Sequence, residues 1–164
     1  MRGRAFRRHR TAAELLAEAQ RRIAPRLEPA DAYEKRRSGA NLVDLRSKDE
    51  RQREGVIPGS IHIPRSVLEW RFDPDSGYSN PHLRFDQKII VFCADGFSSS
   101  FAAATLHDLG WTDCTDIVGG FAGWREAGLP VLEAGEAGRD EDQLPGMGSP
   151  APLEDNKEAR WLST

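Results

Sequence analysis

The hydrophobic and polar positions change their period along the chain. Residues 12–23 place Leu15, Leu16, Ala19 and Ile23 at helical spacing, behind a possible capping box of Thr11 and Glu14. This predicts an amphipathic helix packed on the main body. A second helix is predicted over 29–37, because Pro29 suits a first helical turn and Gly39 supplies a stop. From Asn41 onward, short apolar and β-branched runs appear at 41–46, 60–63, 88–93 and 115–118, the run Lys88-Ile-Ile-Val-Phe-Cys93 being the strongest. Helical stretches are predicted between and after them at 49–54, 65–71, 98–109 and 121–127, with Gly110 and Gly128 as stops. The segment 73–82, with Pro74, Gly77, Asn80 and Pro81, reads as a loop. Strands alternating with helices imply an α/β fold of three layers, a central and largely parallel sheet flanked by helices.

The ends of the chain lack this order. Arg2, Arg4, Arg7, Arg8 and Arg10 make the start basic, and residues 133–164 are rich in Gly, Pro and acid. Such a tail buries too little apolar area to offset its ordering entropy, so disorder is expected there, Trp161 and Leu162 included. The expected division is a basic arm with an amphipathic helix at 1–26, one α/β domain at 27–132 and a tail at 133–164.

Composition narrows the function. With 164 residues, 38% hydrophobic, and a net charge of -3, the chain suits one modest core and is not built for nucleic acid. No run of about 18 apolar residues is present, so no membrane span is expected. The basic start lacks an apolar signal core, and Glu14 and Glu18 argue against a transit peptide, so a cytoplasmic protein is expected. Cys93 and Cys114 stand in neither C-x-x-C nor metal-ligand spacing, and the four histidines are scattered, which leaves no metal site and no cofactor to expect.

The chemistry concentrates at Cys93-Ala-Asp-Gly-Phe-Ser-Ser99. A buried-type strand delivers a thiol into a short Gly/Ser turn that opens a helix, where backbone N–H groups without helical partners converge and the dipole favours negative charge. Such surroundings stabilise a thiolate, the nucleophilic form of cysteine. Gly96 permits the left-handed turn that a nest of amides needs. Ser98 and Ser99 read either as helix caps or as hydroxyl donors to a bound anion or persulfide, and Ser100 reads as a helix cap. In parallel sheets the ligand crevice lies beyond the carboxyl ends of the strands, which would bring Asp44 and Arg46 to the same rim. Cys114 lacks such a turn and is expected to be structural. His62 and His107 are not expected to act as bases. Trp124 is expected in the core and Trp70 in the core or covering a loop, while Phe101, Ala102, Thr105, Leu106 and Leu109 form the stripe that would anchor the 98–109 helix to the sheet.

Four motifs in order now resemble a known family, the single-domain rhodaneses: Val43-Asp-Leu-Arg46, Gly55-Val-Ile-Pro-Gly-Ser-Ile-His-Ile-Pro64, the Cys93 loop, and Gly119-Gly-Phe-Ala-Gly-Trp124 followed by Gly128-Leu-Pro-Val131. The resemblance implies a rhodanese-like fold and sulfur transfer: the loop cysteine takes a sulfane sulfur from a small-molecule or protein persulfide donor, holds it as a persulfide, and passes it to a thiol or cyanide acceptor. Many family members carry an arginine five residues after the cysteine, where this chain has Ser98, and the loop contains Asp95 and no basic residue. Thiosulfate is therefore expected to be a poor donor. Two alternatives stand beside this reading: a binding or thiol redox-sensing module built on Cys93, and a phosphatase or arsenate reductase, which the missing loop arginine disfavours. Nothing in the sequence sets the oligomeric state.

Overall fold

The computed structural model describes residues 9–133. The arginines at positions 2, 4, 7 and 8 and the expected tail from 134 onward lie outside them. Four strands, β1 (Asn41–Asp44), β2 (Ile61–His62), β3 (Ile89–Phe92) and β4 (Cys114–Asp116), form one parallel sheet in the order β2-β1-β3-β4. Around it run α1 (Ala12–Arg22), α2 (Pro29–Arg37), α3 (Lys48–Glu54), α4 (Leu68–Phe72), α5 (Ser98–Asp108) and α6 (Gly120–Glu126). This is the three-layer α/β architecture that the strand and helix alternation predicts. The β1 and β3 strands are shorter than their apolar runs, since residues 45–46 and 93 already belong to the turns that follow them.

Period-two alternation in the central strands divides the core between the two faces. Ile89 and Val91 of β3 join Val43 and Ile63 in one cluster, under Ala102, Ala103 and Leu106 of α5 and Phe72 of α4. Ile90 and Phe92 join Leu42 in the other, with Ile57, Ile117, Phe121 and Trp124. The sheet is buried on both sides, which explains why β3 reads as an unbroken apolar run.

The capping box at Thr11 and Glu14 is present, and α1 lays Ala19 and Ile23 into the α5 side of the core. After α1 the chain reaches the sheet directly: the Leu27 N–H donates to Asp116 O at 3.1 Å, and the Thr115 hydroxyl donates to the carbonyls of Ile23 and Pro25. The expected division after residue 26 falls inside this packing.

Three side chains depart from expectation. Trp70 is 56% exposed, because α4 is only five residues long and already buries Leu68 and Phe72 toward the sheet. Phe101 is exposed too; α5 meets the core through Ala102, Ala103 and Leu106, a neighbouring stripe whose small residues permit close approach. Ser100 does not cap its helix, for its hydroxyl is taken by a buried carboxylate described below. Among the described residues, no helix is long and apolar enough to cross a membrane.

Candidate active site

Register places the site. β1 and β3 pair in parallel with Asp44 opposite Phe92, so the residues that follow both strands emerge at one end of the sheet. Cys93 leaves β3 there. Its chain turns through Gly96, at φ 83°, and enters α5 at Ser98.

Two backbone amides point at the sulfur. Gly96 N lies 3.2 Å and Ser99 N 3.4 Å from Cys93 Sγ, and the thiol faces Ser99 Oγ at 3.4 Å. The loop is held from behind by a second helix start. At the N-terminal end of α6, Phe121 N–H donates to Cys93 O at 2.8 Å and Ala122 N–H to Ala94 O at 3.0 Å. This approach requires glycine. A Cβ on Gly96 would sit 2.7 Å from Gly119 N, and one on Gly120 would sit 2.4 Å from Cys93 O.

Cys93 is 8% exposed and opens on a cleft of about 230 Å³ lined by Leu45, Arg46, Glu50, Cys93, Ala94, Asp95, Phe97 and Ser98. Burial pushes the thiol up, yet the Ser98 and Ser99 hydroxyls and the Ser99 and Gly96 N–H groups together hold it below its ordinary value. Cys114 experiences the opposite balance. Burial, reinforced by the nearby Asp116 carboxylate, pushes its thiol far up.

Every predicted loop residue therefore gathers at the sulfur: Ala94, Asp95, Phe97 and Ser98 on the cleft wall, Gly96 and Ser99 as amide donors. The two rim residues separate. Arg46 borders the cleft although it is itself buried, at 2% exposure, whereas Asp44 is fully buried beneath it and is no rim group. A carboxylate closing a central strand needs a countercharge, and Asp44 has two, Arg46 Nη2 at 2.7 Å and Arg51 Nε at 3.2 Å. Arg46 also donates to Gly55 O at 2.9 Å and to Glu54 at 3.4 Å, and its guanidinium lies 3.7 Å from the centre of the Phe121 ring. Its charge is balanced by its own neighbours. His62 and His107 are bound to the carbonyls of Arg46 and Cys114, away from the sulfur.

Sequence reasoning missed three residues. Glu50 joins Asp95 on the cleft wall; the Ser47 hydroxyl and N–H hold its carboxyl below the usual range, so it is charged. The S-x-x-E spacing of Ser47 and Glu50 reveals the capping box but not where it faces. Asp116 is fully buried under the loop, where it accepts from the hydroxyls of Ser99 and Ser100 at 2.9 and 2.8 Å and from Arg26 Nε at 2.7 Å. An acid inside the apolar run 115–118 was the available signal, since such a group needs partners. Arg26 carried no signal; its role comes from the path of the chain after α1.

A family model, the rhodanese-like domain, matches residues 28–127. A thiosulfate sulfurtransferase, GlpE, of Haemophilus influenzae is 34% identical over 104 residues, spanning 63% of this chain and 90% of that protein. For GlpE of Actinobacillus succinogenes the match is 45% identical over 50 residues and takes in less than half of that protein, 45%. Among solved structures, a protein of unknown function from Rhodopseudomonas palustris, described as a possible tyrosine phosphatase, is 38% identical with a TM-score of 0.71, covering 79% of this chain and all of that one. The human single-domain sulfurtransferase TSTD1 is 28% identical with a TM-score of 0.55, over 63% of this chain and 96% of its own. With half the chain and more under one family model, and a parallel sheet that ends in an amide-ringed cysteine, the chain belongs to the rhodanese-like domain family.

Proposed function

We propose that the protein is a rhodanese-type sulfurtransferase whose reacting atom is Cys93 Sγ. The observation that carries this reading is the convergence of the Gly96 and Ser99 amides on a depressed thiol at the floor of an open cleft. The thiolate attacks the terminal sulfur of a donor R–S–S⁻; the new S–S bond forms on Cys93 as the donor's S–S bond breaks, and R–S⁻ leaves with the electron pair. An acceptor thiolate or cyanide then attacks the outer sulfur and releases the Cys93 thiolate. The exchange depends on the ionised fraction, which the amides raise. The sulfurtransferase relatives support the reaction class.

The cleft wall argues against a strongly anionic donor. Glu50 and Asp95 are acidic, and Arg46, the one cation among the lining residues, is already paired. Low-charge persulfides, small or protein-borne, are the donors that fit. Sulfur transfer from the thiosulfate dianion should be much slower than from a persulfide with an uncharged alkyl group, and a strong thiosulfate preference refutes this part. The same wall disfavours phosphoryl chemistry, in which cationic groups stabilise the equatorial oxygens.

Intact mass after mixing with a sulfane donor tests the whole reading. Gain of one sulfur on Cys93 supports transfer, whereas gain of oxygen only favours a redox-sensing thiol.

A further inference from the structure

Beneath the loop lies a buried cluster that the transfer chemistry does not use. Asp116 accepts four hydrogen bonds: Arg26 Nε on Oδ1 at 2.7 Å, and Arg26 Nη2 at 3.0 Å, Ser99 Oγ at 2.9 Å and Ser100 Oγ at 2.8 Å on Oδ2. Arg26 Nη2 also donates to Gly96 O at 3.0 Å, so one guanidinium holds both the carboxylate and the loop. Arg26 lies before the 28–127 stretch matched by the family model, and its position comes from α1 and the segment after it.

Ser99 has one proton to give and two places to give it. In the thiol form the sulfur donates to Ser99 Oγ, and Ser99 donates to Asp116. A thiolate has no proton to donate, and a hydroxyl lone pair turned toward it would repel it. The favourable arrangement then has Ser99 rotate its O–H onto the sulfur. Asp116 tolerates the loss, because Oδ2 keeps Arg26 Nη2 and Ser100, and Oδ1 keeps Arg26 Nε.

We infer that Arg26 is a positioning residue for the reacting sulfur: by neutralising Asp116 and anchoring Gly96, it frees the Ser99 hydroxyl to swing from the carboxylate to Cys93 when that sulfur becomes charged. The inference rests on Cys93 as the reacting atom. Without Arg26 the buried carboxylate would keep the Ser99 proton and add an unbalanced negative charge behind the loop. Other charged groups around the sulfur are Asp95 on its own loop and Glu50 and Arg46 across the cleft. None of them touches Asp116 in the bonds described above.

The test is the pH at which Cys93 alkylation by iodoacetamide reaches half its maximal rate, followed by mass in the full chain, with thermal unfolding to confirm that each variant is folded. Arg26→Gln should move that midpoint upward by about one pH unit. Adding Asp116→Asn to Arg26→Gln should return it most of the way, because the unbalanced charge is gone. Arg26→Lys, which keeps the charge with fewer donors, should shift it less than Arg26→Gln and gives the answer if the Gln variant does not fold. An unchanged midpoint in Arg26→Gln, or a double variant displaced as far as the single one, overturns the inference; a residue that merely ties α1 to the sheet would give the latter. If no donor loads sulfur on the wild type while these midpoints move as stated, the transfer reading falls and the role of Arg26 stands.

Discussion

Cys93 and Cys114 are one strand apart in the same sheet and both buried, at 8% and 4% exposure, yet their thiols are pushed in opposite directions. Cys114 sits in β4 with Ile89 opposite and meets desolvation with no compensating donor strong enough to offset it. Cys93 sits one residue past β3, where amides without helical partners and two hydroxyls outweigh its own desolvation penalty. Depth alone therefore does not make a cysteine inert. What decides is whether the chain turns at that point and leaves its N–H groups aimed at the sulfur.

The contrast breaks most sharply on substitution. Cys93→Ser should abolish sulfur loading, whereas Cys114→Ser should load as the wild type does, both read by intact mass; an adduct that survives in Cys93→Ser would move the site to Cys114. Next in size is the loop geometry. Gly96→Ala places a Cβ against Gly119 N at a positive φ and should cost about 1–3 kcal/mol of stability in a urea titration, with a large loss of Cys93 alkylation rate as the amide moves.

Acidity gives a subtler separation. Cys93 should alkylate with a midpoint below the free-thiol value of about 8.5, and Cys114 should stay unmodified until the protein unfolds. The linkage has opposite signs. The depressed Cys93 value adds stability that is complete above the unfolded thiol's pKa and is lost as the pH falls through the folded one; the raised Cys114 value adds stability that is complete below the unfolded pKa and is lost as the pH rises beyond it. Urea midpoints across alkaline pH should therefore fall less in Cys114→Ser than in the wild type. The smallest effect expected is on donor choice. Asp95→Asn removes one exposed carboxylate from the cleft and should raise the rate with dianionic thiosulfate about fivefold or less, and the rate with a singly charged alkyl persulfide by less.

Much of this site was legible along the chain because its signals are local. A strand, a cysteine, a glycine at positive φ and a helix start are contiguous from Ile89 to Ser98, and one stretch of backbone suffices to aim two amides at one atom. Asp44 was misplaced at the rim because sequence position at a strand end does not say which way a side chain turns; the carboxylate goes inward, where Arg46 and Arg51 meet it. Trp70 came out exposed because the five-residue α4 has few places facing the sheet, and Phe101 because α5 packs through the neighbouring stripe of Ala102, Ala103 and Leu106; periodicity does not rank such choices.

By itself the sequence determined the order of strands and helices, the parallel α/β class, and the cysteine in its amide turn. All three rest on interactions within about ten residues, or on burial patterns repeated along one strand. The tertiary structure alone decided what stands behind the loop. Arg26, Asp116 and Ser99 are separated by 90 and 17 residues in the chain and meet only because α1 packs on α5 while β4 pairs with β3. Charge balance in a buried cluster depends on which groups share the cavity, and no spacing along the chain encodes that.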